Sequence, residues 1–151
     1  MNPNIRPARL TDADIICEFN RLLAKETEDR DLDLVLVGPG VRAMLADANK
    51  GCYFVAENDG QVIGQIGYTH EWSDWRNGYF WWLQSVYVAK AARRQGVFRK
   101  MFAAIMSAAS AQPDVIGVRL YVEHDNHAAQ ATYKRLGFAV TNYNVMEMYP
   151  I

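Results

Sequence analysis

The chain reads as an α/β (α+β) domain with a mixed sheet, and three features of its 151 residues predict this. Between residues 97 and 109, Val97, Phe98, Met101, Phe102, Ile105, Met106 and Ala109 recur at three- and four-residue spacing, the stripe of a helix buried along one side. Cys52 to Glu57 and Gln61 to Thr69 are short apolar runs joined by Asn58-Asp59-Gly60, the signature of a hairpin. Strand-like and helix-like segments then alternate along the chain, which calls for helices packed on a sheet.

In order, Asn4 to Arg9 predicts a short first strand, and Pro7 within it places that strand at an edge. Thr11 or Asp12 can cap a helix running to about Lys25, with Ile15, Ile16, Phe19, Leu22 and Leu23 on its buried side. Glu26 to Asp31 follows with four carboxylates, either a solvated helix end or the acidic wall of a site for a cation. Gly38-Pro39-Gly40 reads as punctuation before a short helix from Val41 to Ala48. After the hairpin, whose Gly64 and Gly67 suggest a bulge or a close approach, Tyr79 to Val88 predicts an aromatic-rich strand. A helix from Gly96 to about Ala111 comes next, then a strand from Val118 to Val122. Asp125 or Asn126 caps a last helix that stops at Leu136-Gly137, with Gly137 placed for a left-handed C-cap. Phe138 to Met148 predicts one final strand that completes the sheet.

The length suits a single domain over residues 1–151. A net charge of −1 gives no general attraction to nucleic acid or to an acidic membrane, so neither is expected as a partner. No apolar run approaches the ~20 residues of a membrane span, and the N-terminus has no signal-like apolar segment. Cys17 and Cys52 lack C-x-x-C spacing and read as free thiols of a cytoplasmic protein. His70, His124 and His127 have no metal-ligand spacing, so no metal is expected.

Arg93-Arg94-Gln95-Gly96 stands at the entrance of the long helix. A helix N-terminus offers unpaired N–H groups and partial positive charge, and a glycine with two arginines there suits a phosphate or pyrophosphate. The P-loop pattern and the dinucleotide-binding glycine pattern are both absent. The segment Arg93-Arg94-Gln95-Gly96-Val97-Phe98 resembles instead the acetyl-coenzyme A loop of the Gcn5-related N-acetyltransferase (GNAT) superfamily, [QR]-x-x-G-x-[GA], with Phe98 in place of the small residue. A second block, Asn126 followed by small residues and Tyr133-Lys134-Arg135-Leu136-Gly137-Phe138, resembles the same superfamily's Tyr-x-x-x-Gly-Phe segment in the right order.

The resemblance implies a mostly antiparallel central sheet flanked by helices, with a splayed strand pair that holds acetyl-CoA as cosubstrate. Val86, Tyr87 and Val88 would offer backbone groups to the pantetheine arm, and one of their N–H groups would polarise the thioester carbonyl. Backbone from Arg94 through Gln95, Gly96 and Val97 to Phe98 would hold the pyrophosphate, with the side chains of Arg93, Arg94 and Arg99 assisting. Asn126 would contact the coenzyme arm, and Tyr133 would be the general acid to the departing thiolate.

The base is open. Relatives often carry a Glu on the strand before the coenzyme loop; here Gln84 stands on that strand and cannot take a proton. Glu71 ranks first, ahead of Glu26 and Glu28. The loop from His70 to Asn77, with Trp81 and Trp82, gathers all four tryptophans of the chain within eleven positions. Glu28, Glu71, Trp72, Trp75, Trp82 and Gln84 are therefore candidates for an aromatic and acidic acceptor pocket, although the tryptophans also suit a core or a dimer interface. This loop is similar to that of the diamine and polyamine acetyltransferase branch. The activity implied is acetyl transfer to the primary amine of a small molecule (diamine, polyamine or amino acid) within a ternary complex. A non-catalytic acyl-CoA sensor and a protein or peptide N-acetyltransferase are the alternatives, and a homodimer through the C-terminal strand is the assembly suggested.

Overall fold

The computed structural model describes residues 1–151 as two compact units, Met1–Leu120 and Tyr121–Ile151. The first holds β1 (Asn4–Pro7), α1 (Ala13–Glu28), α2 (Leu34–Ala46), β2 (Cys52–Asn58), β3 (Gln61–Ser73), β4 (Gly78–Val88), α3 (Val97–Ser110) and β5 (Val115–Leu120). The five strands lie in sequence order, antiparallel throughout except for β4 and β5, which run parallel. This is the expected mixed, mostly antiparallel sheet with helices against it. β1 is an edge strand, as Pro7 requires, and β5 is the other edge.

Adjacent residues of β3 show how the layers divide, since successive side chains point to opposite faces. Gln65 meets Asn20 of α1. Gly64 lies against α3, where an added Cβ would stand 3.2 Å from Met101 Cε and 3.1 Å from the Tyr87 carbonyl. The α1–α2 side is filled by Ala13, Ile16, Val41, Tyr53 and Val55. On the α3 side Val97, Met101, Phe102, Ile105 and Ala109 of the anticipated stripe are buried, while Phe98 is half-buried and Met106, at the stripe's margin, is exposed.

Arg6 fastens the entry to α1. Its Nη1 and Nη2 donate to the two Asp12 oxygens at 2.8 and 3.0 Å, and its Nε donates to Glu57 Oε2 of β2 at 2.9 Å. Asp12 is buried and also accepts from the Arg9 N–H at 2.7 Å. The Arg6 hydrogen bonds outweigh burial and hold the Asp12 carboxyl below the usual carboxylate range.

Several boundaries differ from those read in the sequence; β3, for one, runs to Ser73 through residues read as loop, which leaves only a turn at 74–77. The second helix begins at Leu34, not Val41, and runs through Gly38-Pro39-Gly40. Asp33 caps it, accepting from the Val35 N–H at 2.9 Å. Pro39 withholds only the bond to the Val35 carbonyl, and Val35 is exposed, so water can serve that oxygen. The last sheet strand spans Val115–Leu120 and not 118–122. The final strand expected at Phe138 to Met148 does not form: residues 138–151 have neither strand nor helix, because no strand pairs with them.

The second unit contains α4 (His127–Arg135). Asn126 caps it, its Oδ1 accepting from the Ala129 N–H at 3.1 Å. At the other end Gly137 takes φ 97°, the Phe138 N–H donates to the Tyr133 carbonyl at 3.0 Å and the Gly137 N–H to Lys134 at 3.1 Å. This is a Schellman cap, and its apolar partner contact is the Tyr133 ring against Phe138, centroids 5.7 Å apart.

Candidate active site

The basic loop is shaped by two left-handed residues. Gly96 takes φ 77° as the residue before α3, and Arg94 takes φ 63°. For Arg94 this is an uncommon conformation, stored where the chain must turn. Alternating the backbone hand in this way forms a concave nest of N–H groups. The first bond the helix makes for itself is Lys100 N–H to the Gly96 carbonyl at 3.1 Å, so α3 does not use the amides of its first turn. Arg94, Gln95 and Arg99 are exposed around this turn, and Val97 is buried beneath it. Phe98 packs toward Phe102, centroids 6.1 Å apart, so its bulk lies along the helix and not over the turn.

Arg93 is engaged differently from its neighbour. Its Nη2 pairs with Glu26 Oε2 of α1 at 2.7 Å, its Nε donates to the Val88 carbonyl at 2.9 Å, and its guanidinium lies 5.3 Å from the Tyr87 ring centroid. Tyr87 in turn donates to Glu26 Oε1 at 2.9 Å. Burial opposes ionisation of Glu26, but Arg93 and Tyr87 prevail and its pKa lies below the ordinary value. The residue read as a phosphate ligand thus joins the end of β4 to the end of α1.

β4 carries a bulge. Gln65 faces Tyr87 while Gly67 faces Gln84, so β4 spends three steps where β3 spends two. Ser85, in the left-handed region at φ 52°, is the extra residue. Its carbonyl turns inward and accepts from Gln65 Nε2 at 3.1 Å. The amide of the same peptide, the Val86 N–H, therefore points the other way. β4 and β5 pair only as far as Leu83 and Leu120, so Gln84 to Val88 have strand pairing on the β3 side alone.

Beside the bulge lies a cavity of about 340 Å³ between α1, α2 and the sheet. Leu23, Leu32, Val37 and Val41 give it apolar walls; Asn20, Tyr53 and Ser85 are its polar groups, and Glu28 is its carboxylate. These polar groups are linked: Asn20 Nδ2 donates to the Tyr53 hydroxyl at 3.3 Å, and that hydroxyl to Ser85 Oγ at 3.4 Å. Gln65, fully buried behind them, donates to Asn20 Oδ1 at 2.7 Å, and its own Oε1 has no protein partner. Asn20, Tyr53, Gln65 and Ser85 were not singled out in the sequence. The detectable signal was Gln65, a lone amide between Gly64 and Ile66 in an apolar strand.

Among the acceptor candidates, only Glu28 lines this cavity. Glu71 pairs across the strands with Phe80, five residues up β4 from Ser85, or about 16 Å at strand spacing. Its Oε2 accepts from Trp82 Nε1 and, at 3.0 Å, from Arg119 of β5, whose guanidinium also lies 3.7 Å from the Phe80 ring centroid. Gln84 donates to Thr69 Oγ1 at 2.6 Å on the same face. Trp72 follows Glu71 in the strand and so takes the opposite face, edge-on to Tyr79 at 4.9 Å. Trp75 lies in the turn, 84% exposed. One aromatic-acidic pocket combining Glu71, Trp72 and Trp75 is therefore not assembled.

In the second unit Tyr133 is half-buried, and burial pushes its phenol above the ordinary value. Val86, Tyr87 and Val88 close β4, and Asn126 is committed as a cap through Oδ1.

A bulged fourth strand of a mixed sheet thus leads into a left-handed loop and a helix N-terminus, a run of backbone amides suited to an extended phosphate-bearing group. The acetyltransferase (GNAT) family model matches residues 16–138, and the chain belongs to that family. A possible acetyltransferase from Clostridium difficile 630 is 46% identical, covers 100% of this chain and 99% of its own, and superposes with a TM-score of 0.92. A GCN5-related N-acetyltransferase from Ralstonia eutropha JMP134 shares the fold at 17% identity, covering 99% and 100% of the two chains with a TM-score of 0.79. A predicted acetyltransferase of Clostridium acetobutylicum, solved with acetyl-CoA, does so at 18% identity over 97% and 96%, with a TM-score of 0.81. No curated protein matches the chain. The protein is thus a GNAT acetyltransferase, of a family that uses acetyl-CoA.

Proposed function

We propose that residues 1–151 act as one domain, in the cytoplasm, that acetylates the primary amine of a small molecule by direct attack in a ternary complex. The observation that carries this reading is the juxtaposition of the Ser85 bulge with the cavity lined by Glu28, Asn20 and Tyr53. A cavity of that volume, with apolar walls and a few polar groups, suits a small amine with an apolar body.

In this scheme the acceptor nitrogen attacks the thioester carbon, the N–C bond forms and the C–S bond breaks. The Val86 N–H, aimed away from the cavity-side Gln65, stabilises the developing oxyanion. The amine proton leaves through Glu28, which shares the cavity with Ser85, directly or through water. Glu71, with Arg119 and Trp82 on one of its oxygens, is better suited to orienting a distal part of the acceptor along the sheet face. Tyr133 supplies the proton to the departing thiolate. The N-terminal turn of α3, with Arg94 and Arg99, holds the pyrophosphate, and Asn126 reaches the coenzyme arm.

Thiol release from acetyl-CoA, measured against diamines, polyamines, amino acids, aminoglycosides and short peptides, tests the reading. Turnover confined to small amines, with kcat lowered at least tenfold by Glu28→Gln, is expected. Turnover only with peptides, or tight acetyl-CoA binding with no turnover on any amine, would overturn it.

A further inference from the structure

The polar side chains beneath the Ser85 bulge form one chain of hydrogen bonds, and the backbone fixes its direction. Gln65 Nε2 lies 3.1 Å from the Ser85 carbonyl, a group that only accepts, so the amide must turn its nitrogen that way. The same nitrogen meets Asn20 at 2.7 Å, which makes the facing Asn20 atom its oxygen, Oδ1. Asn20 Nδ2 is then left to donate to the Tyr53 hydroxyl. Gln65 keeps this orientation although its own Oε1 is buried without a protein partner. Beyond Tyr53 the protons outnumber their acceptors. Tyr53 and Ser85 carry one hydroxyl proton each, and the single 3.4 Å contact between the two oxygens uses one of them. The other has no protein acceptor, and both hydroxyls line the cavity.

From this surplus we propose that the acceptor carries a neutral oxygen, a hydroxyl or an amide carbonyl, close to its primary amine, and that this oxygen takes the unclaimed proton. The proposal rests on the cavity being the acceptor site, and it narrows the small amine to an amino alcohol or an amino amide. A second ammonium, as in a diamine, has no lone pair to offer the hydroxyl. A carboxylate has lone pairs, but it would sit beside Glu28 in a cavity that no Lys or Arg lines. A plain alkyl amine leaves the hydroxyl unpaired among apolar walls.

The test is thiol release from acetyl-CoA with isoamylamine, leucinol, leucinamide and leucine, which share one apolar body, and with diaminobutane. Leucinol and leucinamide are expected to exceed isoamylamine in kcat/KM by about tenfold, the effect of one hydrogen bond left unmade, with leucine and diaminobutane at or below isoamylamine. Asn20→Asp reverses the chain. Both carboxylate oxygens only accept, so Tyr53 donates to Asp, Ser85 donates to Tyr53, and no proton is left for the cavity. In this variant the ratio of leucinol to isoamylamine should fall to about one. The two probes carry the same charge, so the added carboxylate cancels from that ratio. Calorimetric binding of acetyl-CoA checks that the variant is folded, and the wild-type series decides the question even where it is not. Equal kcat/KM for isoamylamine and leucinol in wild type overturns the proposal and leaves the cavity as the amine site. A preference for leucine or diaminobutane also overturns it, as does a leucinol preference that survives in folded Asn20→Asp. No turnover of any probe overturns both the proposal and the reading beneath it.

Discussion

The ion pair between Arg93 and Glu26 separates two ways in which a basic residue can serve a phosphate. If Arg93 acts by fixing the loop, both partners matter; if it reaches the coenzyme, Glu26 competes for it. The pair is made at 2.7 Å between side chains that are 41% and 22% exposed, so it is screened and contributes about 1 kcal/mol at most. The bond from Arg93 Nε to the Val88 carbonyl adds about 1 kcal/mol. Arg93→Ala should therefore destabilise the fold by about 2 kcal/mol and Glu26→Gln by about 1 kcal/mol, with a coupling in the double mutant near 1 kcal/mol. For acetyl-CoA affinity, a positioning role predicts that both single variants weaken binding, by up to about tenfold or 1.4 kcal/mol. The assay is calorimetric titration of acetyl-CoA into each of the four proteins, with urea melts alongside. Binding that tightens in Glu26→Gln while it weakens in Arg93→Ala would refute the positioning argument and return Arg93 to the phosphate.

Other outcomes follow from single groups. Tyr133→Phe should lower kcat by about 10²–10⁴-fold, the usual worth of a general acid, with coenzyme affinity unchanged; equal kcat would remove that role. Because burial raises the Tyr133 phenol, its acid form persists past about pH 10, and the alkaline limb of the rate profile should not fall below that value through this group. Asp12 is held below the unfolded carboxylate value, so its contribution to stability is complete above about pH 4 and is lost as pH falls through its folded-state pKa. Urea midpoints at pH 7 and pH 3 should show this loss in wild type, and a smaller one in Asp12→Asn; equal losses would contradict the assignment. Gly96→Ala, in open space at φ 77°, should cost about 1 kcal/mol from backbone strain alone and weaken acetyl-CoA binding. Retained affinity would mean that the turn does not hold the phosphate.

What could be read in the chain beforehand was whatever a local pattern encodes. The α3 stripe, the Asn58-Asp59-Gly60 turn, the Asn126 cap and the Gly137 cap depend on residues a few positions apart, and each is present in the structure. The start of α2 was hidden because Pro39 between two glycines resembles a loop, and only packing of Val41 and Val37 on the α1 cluster overrides that signal. The bulge was half visible. The β3 glycines mark close approach, but the left-handed residue is Ser85, whose type gives no warning. Arg93's partner is 67 residues away, and Asn20 meets Gln65 from 45 residues away; such contacts leave no trace in spacing. The strand expected at Phe138 to Met148 is absent, because apolar, strand-like composition does not supply the paired neighbour that defines a strand.

Gly38, Pro39 and Gly40 in α2 bear on how an acceptor would enter. Two interior glycines and a proline burden this helix with about 5 kcal/mol of unfavourable propensity relative to alanine, set against the packing of Val37, Val41, Met44 and Leu45. α2 also supplies Val37, Gly40 and Val41 to the cavity wall, so the wall is built from the helix least able to stand alone. Its amides should exchange with solvent through a local opening, well before those of the sheet. The molecule would then admit bulky acceptors by melting one wall while the bulge and the phosphate loop stay in place, and selectivity could drift through α2 without touching the chemistry.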